Sequence, residues 1–430
     1  MINNENPLLA NSIWSATSNL ILETVPVSSS SSFDIAIIGG GLSGVSIAFH
    51  CARLGLNICL IEKETIGWGA SGRNGGQVIP GLKELPEAIG SYFGPHMGKK
   101  IMSLAGSAPD YVFSLINKYK INCAAAQTGW IQASVSRHGL DINKEMFRQW
   151  GAQNVPIEFL SASDVSSLIG SDNYSGGALD VRGGKLHPLN YVLGLAQVAQ
   201  QKGATIYQDS PVLGIKKNGD SYAIECSGGQ ILASRVVLAT NGYGDTLSGT
   251  KNRNVIPVQS VQVATRPLSD NVLKTILPRG QVVSDTRRLL KYFRIAENGR
   301  LLVGGRGGTS NRTTQKQIQE LKLFATEMFP NIGGVEFDYV WGGNVALTLD
   351  HFPQICSFDN GIISLSGYNG RGVALTTALG RVVGEFLNGK PALELDFPVK
   401  RLKTIPFQEF QKVIVPFAAW YKKLLDSIDR

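Results

Sequence analysis

The glycine-rich run IIGGGLSG, which begins at Ile37, constrains the fold of this chain more than any other sequence feature. It overlaps Asp34–Ile38, a short apolar run rich in β-branched residues that predicts a buried parallel strand. Apolar residues at helical spacing then occupy Ser43–Leu54, and Gly55 follows as a stop signal. A second apolar strand is predicted at Asn57–Ile61. The chain therefore contains a βαβ unit, whose crossover should be right-handed.

Three glycines of this run have the G-x-G-x-x-G spacing of a dinucleotide-binding turn. Gly39 allows the tight turn, Gly41 lets the backbone approach a pyrophosphate, and Gly44 lets the helix pack closely on the strand. The start of the helix offers N–H groups to phosphate, and the Glu62 carboxylate can accept hydrogen bonds from a ribose diol. A purely structural glycine turn is the alternative. The predicted site comprises Gly39, Gly41, Leu42, Ser43, Gly44, Glu62 and Lys63.

A second glycine-rich run, IGWGASGRNGGQ, extends from Ile66 to Gln77. A nicotinamide enzyme does not need such a loop at this place, whereas FAD is longer and the loop can contact its pyrophosphate and flavin. Arg73 and Asn74 can donate hydrogen bonds to phosphate or to the flavin ring. An ordinary flexible loop is the alternative. The predicted FAD contacts here are Gly69, Ala70, Ser71, Arg73, Asn74, Gly75, Gly76 and Gln77.

Strand and helix patterns of the same type return later in the chain. They are a helix at Pro188–Lys202, strands at Ala204–Tyr207, Arg235–Ala239 and Gly361–Leu365, and a helix at Val373–Leu387. The nucleotide-binding domain is therefore predicted to consist of residues 33–82, 161–254 and 341–400. A substrate domain is predicted from 83–160, which looks mainly helical, and 255–340, whose alternating pattern indicates an antiparallel sheet. Residues 1–32 form an N-terminal arm with a flexible serine spacer at Ser28–Ser32, and 401–430 form a C-terminal tail.

Charge, cysteine spacing and hydropathy indicate which partners and which compartment to expect for the protein. Lys and Arg number 41 against 33 Asp and Glu, which gives a net charge of +8. Without a long basic block, this charge indicates a basic surface rather than a nucleic-acid partner. The five cysteines lack C-x-x-C spacing, so we predict no disulfide framework and no metal site, and expect a cytoplasmic location. No signal peptide or transmembrane segment is predicted, although KVIVPFAAWYKKLL near the C-terminus allows peripheral membrane contact.

Several of these motifs resemble the FAD-dependent amine and D-amino acid oxidase family, in particular its γ-glutamylputrescine oxidoreductase branch. They are the two glycine-rich runs, GGKLHPLNYVLGLA (Gly183–Ala196), ATNGY (Ala239–Tyr243) and WGGNVALTLDHFPQ (Trp341–Gln354). NSIWSATSN (Asn11–Asn19) and IPFQEFQKVIVPFAAWY (Ile405–Tyr421) also resemble that branch. The resemblance implies an α/β fold, in which a Rossmann-like FAD-binding domain is interleaved with an α+β substrate domain with an antiparallel sheet.

The resemblance also implies further cofactor positions. These are Val212, Ala239, Thr240, Gly242, Gly343, Gly370, Arg371, Gly372 and Val373. Some relatives attach flavin covalently through a His in the loop after the second strand or through a Cys near the C-terminal segment. Gly76 stands at the first place, and NVALTLD contains no Cys at the second. The FAD is therefore expected to be non-covalent.

The activity that the resemblance implies is oxidation of an amine C–N bond. Hydride transfer to flavin N5 gives an imine, and water converts it to an aldehyde or keto product and ammonia. Val345 stands where amino-acid-oxidising relatives carry a carboxylate-binding Arg, which favours a γ-glutamylputrescine-like amine over a free amino acid. O2, giving H2O2, is the expected acceptor, although Leu302 replaces a lysine that assists oxygen in some relatives. Alternatives are a cyclic or secondary amino acid such as L-pipecolate, a tRNA-modifying flavoprotein, and a non-catalytic FAD-binding subunit.

The substrate pocket has weaker signals in the sequence. Tyr292 and Arg294 share one face of a predicted strand, where Arg294 can pair with a substrate carboxylate while Tyr292 packs beside the flavin. An outward-facing arginine is an equal alternative. His187 precedes Pro188 at a helix start, which favours a structural role over proton transfer. The remaining pocket candidates are Trp341, Asn344 and Tyr368.

Overall fold

A computed structural model describes residues 11–244, 254–306, 311–358, 361–402, 405 and 425–426. The α-helices in these ranges are α1 (Ile13–Thr17), α2 (Leu42–Arg53), α3 (Pro86–Tyr119), α4 (Arg137–Gly151), α5 (Ala162–Ile169), α6 (Pro188–Gln201), α7 (Asp270–Leu273), α8 (Asn311–Met328) and α9 (Gly372–Leu387). Short 3₁₀ turns lie at Ala70–Gly72, Asn241–Tyr243, Pro330–Ile332 and Ala392–Glu394.

The strands are β1 (Ser31–Ile38), β2 (Ile58–Ile61), β3 (Gln77–Val78), β4 (Trp130–Ser134), β5 (Ile157–Leu160), β6 (Gly176–Asp180), β7 (Gly184–Lys185), β8 (Thr205–Tyr207), β9 (Val212–Asn218), β10 (Ser221–Cys226), β11 (Gly229–Leu238), β12 (Ile256–Thr265), β13 (Val282–Asp285), β14 (Lys291–Ile295), β15 (Leu301–Arg306), β16 (Phe337–Leu347), β17 (Gln354–Ser357), β18 (Ile363–Ser366) and β19 (Val399–Arg401). They form two large sheets and a small β3–β7 ribbon.

The first large sheet has the strand order β19-β17-β18-β11-β1-β2-β8, with the β9–β10 hairpin attached to β11. β1 pairs in parallel with both β11 and β2. Ile35 and Ile37 pack into the core formed with α2, α6 and α9, whereas Ala36 and Ile38 pack on the other side with residues of β10. Because both faces are covered, the strand is a continuous apolar run rather than an alternating one.

The sequence predicted most elements of this sheet. Strand β1 contains the expected Asp34–Ile38, and α2 differs by one residue at each end from the expected helix. The later helices α6 and α9 likewise lie within one residue of their predicted bounds. The predicted α/β class with a parallel and an antiparallel sheet is confirmed.

The second large sheet has the order β16-β12-β15-β14-β13-β4-β6-β5 and is antiparallel except for the β13–β4 pair. The antiparallel sheet expected within 255–340 is present, and the segment 83–160 is mainly helical as expected, although it also contributes β4 and β5. Strand β6 comes from 161–254, and β16 continues past residue 341 because β12 pairs along its whole length. We propose that the boundary between the two domains follows this sheet membership.

The N-terminal arm is part of the fold, which corrects the expectation that the folded unit begins at Phe33. Helix α1 starts after Ser12, whose side chain accepts a hydrogen bond from Ser15 N. It buries Ile13 and Trp14 completely. These two side chains remove a large apolar area from water, which outweighs the entropy of ordering a short polar segment.

The serine run is also ordered, contrary to the prediction of a flexible spacer. Ser31 and Ser32 belong to β1 and pair with Ile231 and Leu232 of β11. Strand pairing satisfies their backbone N–H and C=O groups, whatever their side chains. The spacer interpretation rested on composition alone.

The C-terminal tail predicted at 401–430 lies outside the described residues, apart from 401, 402, 405 and 425–426. Asp426 accepts hydrogen bonds from Arg288 N at 3.0 Å and Leu289 N at 3.2 Å, so this point of the chain lies beside the turn before β14. Within the described ranges, no helix combines the length and the apolar character needed to cross a membrane.

Candidate active site

The turn from β1 to α2 contains glycines at positions where the backbone comes too close to other atoms for a side chain. Gly39 has a φ of +111°, and a Cβ there would lie 2.9 Å from Ala239 O. A Cβ on Gly44 would overlap the carbonyl oxygen of Gly39. The tight turn and the close packing expected from the sequence are therefore both present. Ser71 of the second glycine-rich run reaches this turn, since its Oγ accepts a hydrogen bond from Leu42 N at 2.8 Å.

Two helix N-termini lie together beside this turn. Helices α2 and α9 begin after Gly41 and Arg371, and neither of these residues caps its helix through a side chain. Ser43 Oγ and Tyr368 OH, 2.5 Å apart, join the two starts. The positive ends of two helix dipoles at one place favour an anionic ligand such as a diphosphate.

The Glu62 carboxylate lies at the end of β2, next to the fingerprint turn. Its two oxygens accept hydrogen bonds from Gly40 N at 2.5 Å and from Glu64 N at 3.0 Å. Burial raises the pKa of Glu62, although the backbone N–H groups oppose this. These bonds fix the carboxylate where a ribose diol can donate to its remaining lone pairs. The Lys63 side chain is 71% exposed and pairs with Glu64 on the surface, so only its backbone faces this site.

The second glycine-rich run forms a loop whose carbonyl groups are held by side chains from distant segments. Arg73 O accepts from Trp341 Nε1 at 2.9 Å and also from Gln262 Nε2. Asn74 O accepts from Trp14 Nε1 at 2.8 Å. Gly76 O accepts from Arg294 at 3.1 Å. We call residues 73–76 the clamped loop.

Three side chains expected to contact FAD make hydrogen bonds to protein groups. Asn74 Nδ2 donates to Ala70 O and Ser71 O, and Asn74 Oδ1 accepts from Gly76 N. Arg73 donates to Trp68 O at 2.6 Å and stacks over the Trp68 ring. The Gln77 amide bonds to β13 and β14. The loop is thus shaped by its side chains, which leaves mainly its backbone to contact a cofactor.

Arg294 does not face an open pocket. The side chain is fully buried. Its guanidinium donates to Gly76 O and to Leu186 O, and it pairs with Glu297. It also lies 5.4 Å above the Trp14 ring. These contacts occupy the guanidinium inside the protein, so Arg294 supports the clamped loop rather than a substrate carboxylate.

The other pocket candidates divide into buried and accessible residues. Trp341 and Tyr368 are buried, and each hydrogen-bonds to the glycine-rich segments described above. Tyr292 and Asn344 are half-buried. The Tyr292 hydroxyl lies 3.1 Å from Ser260 Oγ, and its ring packs beside Gly75, where a Cβ would approach it to 2.8 Å. Tyr292 and Asn344 are therefore the members of the predicted set that can line a cavity.

Arg371 retains accessible surface, although it lies deep enough for burial to lower its pKa to about 10. It donates to Pro80 O and stacks over the Trp130 ring at 5.1 Å. The Asp180 carboxylate, which pairs with Arg182, partly opposes this effect because its negative charge raises the pKa of Arg371. Arg371 therefore remains a cation at pH 7 at the start of α9, as a cofactor-facing role requires.

Two titratable groups near the clamped loop, His187 and Tyr292, are neutral at pH 7. His187 caps α6 by accepting a hydrogen bond from Asn190 N, as predicted for a structural histidine, and burial lowers its pKa to about 4. Burial raises the pKa of Tyr292 to about 12. Neither group is poised for proton transfer at this pH.

The remaining predicted cofactor positions lie around the same turn or at strand ends. Ala239 follows β11 and donates its N–H to Ile38 O, and Gly242 lies in the 3₁₀ turn that follows. Gly343 lies against Tyr243 and Arg73. Gly370 has a φ of +87° with open space beside it, within the described structure. The others are Gly69, Ala70, Val212, Thr240, Gly372 and Val373, at the 3₁₀ turns, the start of β9 and the first turn of α9.

This arrangement fits FAD. The two neighbouring helix starts suit the diphosphate, Glu62 suits the ribose, and the clamped loop follows Ser71, which contacts the fingerprint turn. Sequence reasoning missed three residues that build it: Trp14, Gln262 and Tyr243. Trp14 had one local signal, since Ser12 and Ser15 have the spacing of a capping box. Gln262 had none, because its partner Arg73 is remote in sequence, and Tyr243 was part of the ATNGY motif without a role of its own.

Comparison with known proteins agrees with this geometry. The family model for FAD dependent oxidoreductases (DAO) matches residues 34–386. Gamma-glutamylputrescine oxidoreductase of Escherichia coli K12 is 31% identical over 414 residues, which cover 95% of each chain. A probable oxidoreductase OrdL of Haemophilus influenzae is 32% identical over 364 residues, which cover 83% of each chain.

Solved structures show the same fold at lower identity. Glycine oxidase from Geobacillus kaustophilus has a TM-score of 0.70 at 20% identity, covering 84% of this chain and 95% of its own. L-proline dehydrogenase from P. horikoshii has a TM-score of 0.70 at 19% identity, covering 86% and 96%. These findings agree with the fingerprint turn and with the groups arranged around it. They show that the chain belongs to the DAO family of FAD-dependent oxidoreductases and is an amine or amino acid oxidoreductase.

Proposed function

We propose that this protein oxidises the C–N bond of an amine of the γ-glutamylputrescine kind, giving an aldehyde and ammonia, with O2 as the acceptor. The observation that carries the proposal is the 31% identity to gamma-glutamylputrescine oxidoreductase over 95% of both chains. Val345 supports it, because this residue of β16 is apolar where the resemblance places a carboxylate-binding Arg in amino acid oxidases. An amine without an α-carboxylate suits such a site.

Bound FAD supplies the acceptor for the hydride lost from the amine carbon. The protein's own residues hold the reactants and exclude water. The starts of α2 and α9 and the Glu62 carboxylate are arranged to bind the cofactor. Tyr292, which can line the cavity, is neutral at pH 7 and so places no negative charge there to stabilise the ammonium form of the amine; the uncharged form is the one that can be oxidised.

We propose that the FAD is held non-covalently. The five cysteines are all buried, and Gly76 stands where the resemblance places an attachment histidine. A Cβ at Gly76 would lie 3.2 Å from Pro188 Cδ, in addition to close contacts with Leu186 O and Arg294, so no larger side chain fits there. Acid precipitation should therefore release all of the flavin into solution.

The test is anaerobic reduction of the purified holoenzyme by γ-glutamylputrescine, putrescine and L-pipecolate. We expect γ-glutamylputrescine to bleach the visible flavin absorbance fastest, and admission of air to restore it with formation of peroxide. Faster bleaching by L-pipecolate would support a cyclic amino acid oxidoreductase instead. Bleaching by none of the three, in an enzyme that dithionite reduces, would reject the proposal.

A further inference from the structure

Trp14 of the N-terminal arm contacts the clamped loop and two of the side chains that hold it, Trp341 and Arg294. It is fully buried, and its Nε1 donates to Asn74 O at 2.8 Å. Its ring makes edge contacts with His187 at 5.0 Å and Trp341 at 6.2 Å between centroids. The Arg294 guanidinium lies over the same ring at 5.4 Å. One arm residue thus contacts both the loop and two of the residues that clamp it.

The arm is fastened to the protein body at the end of α1 and beyond it, along α6. Thr17 Oγ1 lies 3.1 Å from His187 Nε2, and Ser18 Oγ donates to Asn190 Oδ1 at 2.8 Å. Farther on, Gln197 donates to Ile21 O at 2.9 Å. Because several bonds hold the arm along α6, the loss of one of them leaves Trp14 in place, and its indole is a rigid donor rather than a side chain that follows the loop.

The direction of the Asn74 carbonyl determines the direction of the next N–H. In a trans peptide the C=O of one residue and the N–H of the next point to opposite sides. With Asn74 O held by Trp14, the Gly75 N–H is directed away from the arm. Gly75 has the ring of Tyr292 at its side, so this peptide lies at the border between the loop and the second sheet.

We propose that Trp14 is a positioning residue of the flavin site, which sets the Asn74–Gly75 peptide and thereby the hydrogen bond that this peptide offers to FAD. The inference rests on the proposed function, and in particular on the contact between the clamped loop and FAD that the sequence predicts. It assigns to the arm, which precedes the fingerprint, a role in tuning the cofactor.

The test compares Trp14→Phe with Thr17→Val in the full-length holoenzyme. Trp14→Phe keeps an aromatic ring but deletes the N–H, whereas Thr17→Val deletes two bonds of the arm, to Ile13 O and to His187, that do not reach the loop. Loss of one hydrogen bond should raise the FAD dissociation constant of Trp14→Phe about tenfold. We also expect a shifted flavin absorption band and midpoint potential in Trp14→Phe and not in Thr17→Val.

Both measurements use FAD without substrate, so they stay informative if the proposed substrate is wrong. Equal FAD affinity, spectrum and potential in wild type and Trp14→Phe would overturn the inference. So would the same losses in Thr17→Val, because they would show that the arm acts only through general stability. If Trp14→Phe does not fold, benzothienylalanine at position 14 replaces the N–H by sulfur at nearly constant shape, with the same expected results.

Discussion

His187 connects the arm, α6 and the pH dependence of stability. Its Nδ1 accepts from Asn190 N at 3.1 Å, and burial lowers its pKa from 6.5 to about 4, with the charge of Glu297 opposing this shift and that of Arg294 adding to it. The unfolded chain binds this proton more readily, so the contribution is complete above pH 6.5 and is lost as the pH falls toward 4. Between pH 7 and pH 5 it should amount to about 2 kcal/mol of unfolding free energy.

Urea unfolding of His187→Asn at the two pH values tests this. Asparagine keeps a capping oxygen but removes the titration, so the loss of stability between pH 7 and pH 5 should shrink by about 2 kcal/mol. Part of the slope should remain, because burial also lowers the pKa of His50, to about 3. His138→Asn, at an exposed position of α4, is the matched control. An unchanged slope in His187→Asn would contradict the assignment.

Arg371 is the residue whose charge we expect to matter most for FAD. It donates a hydrogen bond to Pro80 O and lies over the Trp130 ring. It is the N-cap residue of α9, and its side chain makes no capping bond there. Removing a charged hydrogen-bonding group should raise the FAD dissociation constant of Arg371→Met about 10- to 100-fold, with Arg371→Lys in between. Arg148→Met, which deletes exposed ion pairs only, should bind FAD like the wild type. Fluorescence titration of apoprotein with FAD decides between these outcomes.

At the residue scale, the sequence predicts what local backbone geometry requires. The roles of Gly39 and Gly44 follow from a turn a few residues long. The partners of Arg294 do not, since Gly76 O and Leu186 O are 218 and 108 positions away. A period-two pattern predicts which side chains share a face of a strand but not what covers that face. Arg294 was expected to bind a substrate carboxylate, and it binds two backbone carbonyl groups of the protein.

At the element scale, the packing of α2 against α9 keeps the two helix starts together. A Cβ on Gly380 would lie 2.6 Å from Ser46 Cβ, so the helices approach too closely for any other residue. Gly380→Ala should lower the unfolding free energy by about 1 to 3 kcal/mol and weaken FAD binding, because it separates the helices.

Gly90→Ala is the matched control for this substitution. It lies in α3 with open space beside it within the described structure, so the gain in helix propensity should stabilise the protein by up to about 1 kcal/mol. Urea unfolding and FAD titration of both variants measure the difference. The packing argument fails if Gly380→Ala is as stable as Gly90→Ala.

Element prediction succeeded where a segment carries its own periodicity. Helices α2, α6 and α9 have apolar faces of several turns and clear stop signals, and their bounds were predicted to within one residue. Helix α1 has only five residues, which is too short for a period to show. Its position is decided by burial of Trp14 among residues from distant parts of the chain.

At the scale of the whole molecule, the sequence predicted two interleaved parts but not the strands that each part contains. Strand β6 begins with Gly176 and Gly177 and has little strand signal of its own, yet it pairs with β4 on one side and β5 on the other. Sheet membership is a property of partners remote in sequence, and composition shifts along the chain do not reveal it.

The burial of Trp14 also has a consequence for the order of folding. Its contacts reach from Asn74 through His187 and Arg294 to Trp341. During synthesis the arm leaves the ribosome before these partners, and Trp341 is made only after most of the chain. Such long-range contacts close late and slowly. In the proposed flavin site, the clamped loop therefore obtains its support from the N-terminal arm only after Trp341 has been made, and until then the arm remains exposed to solvent.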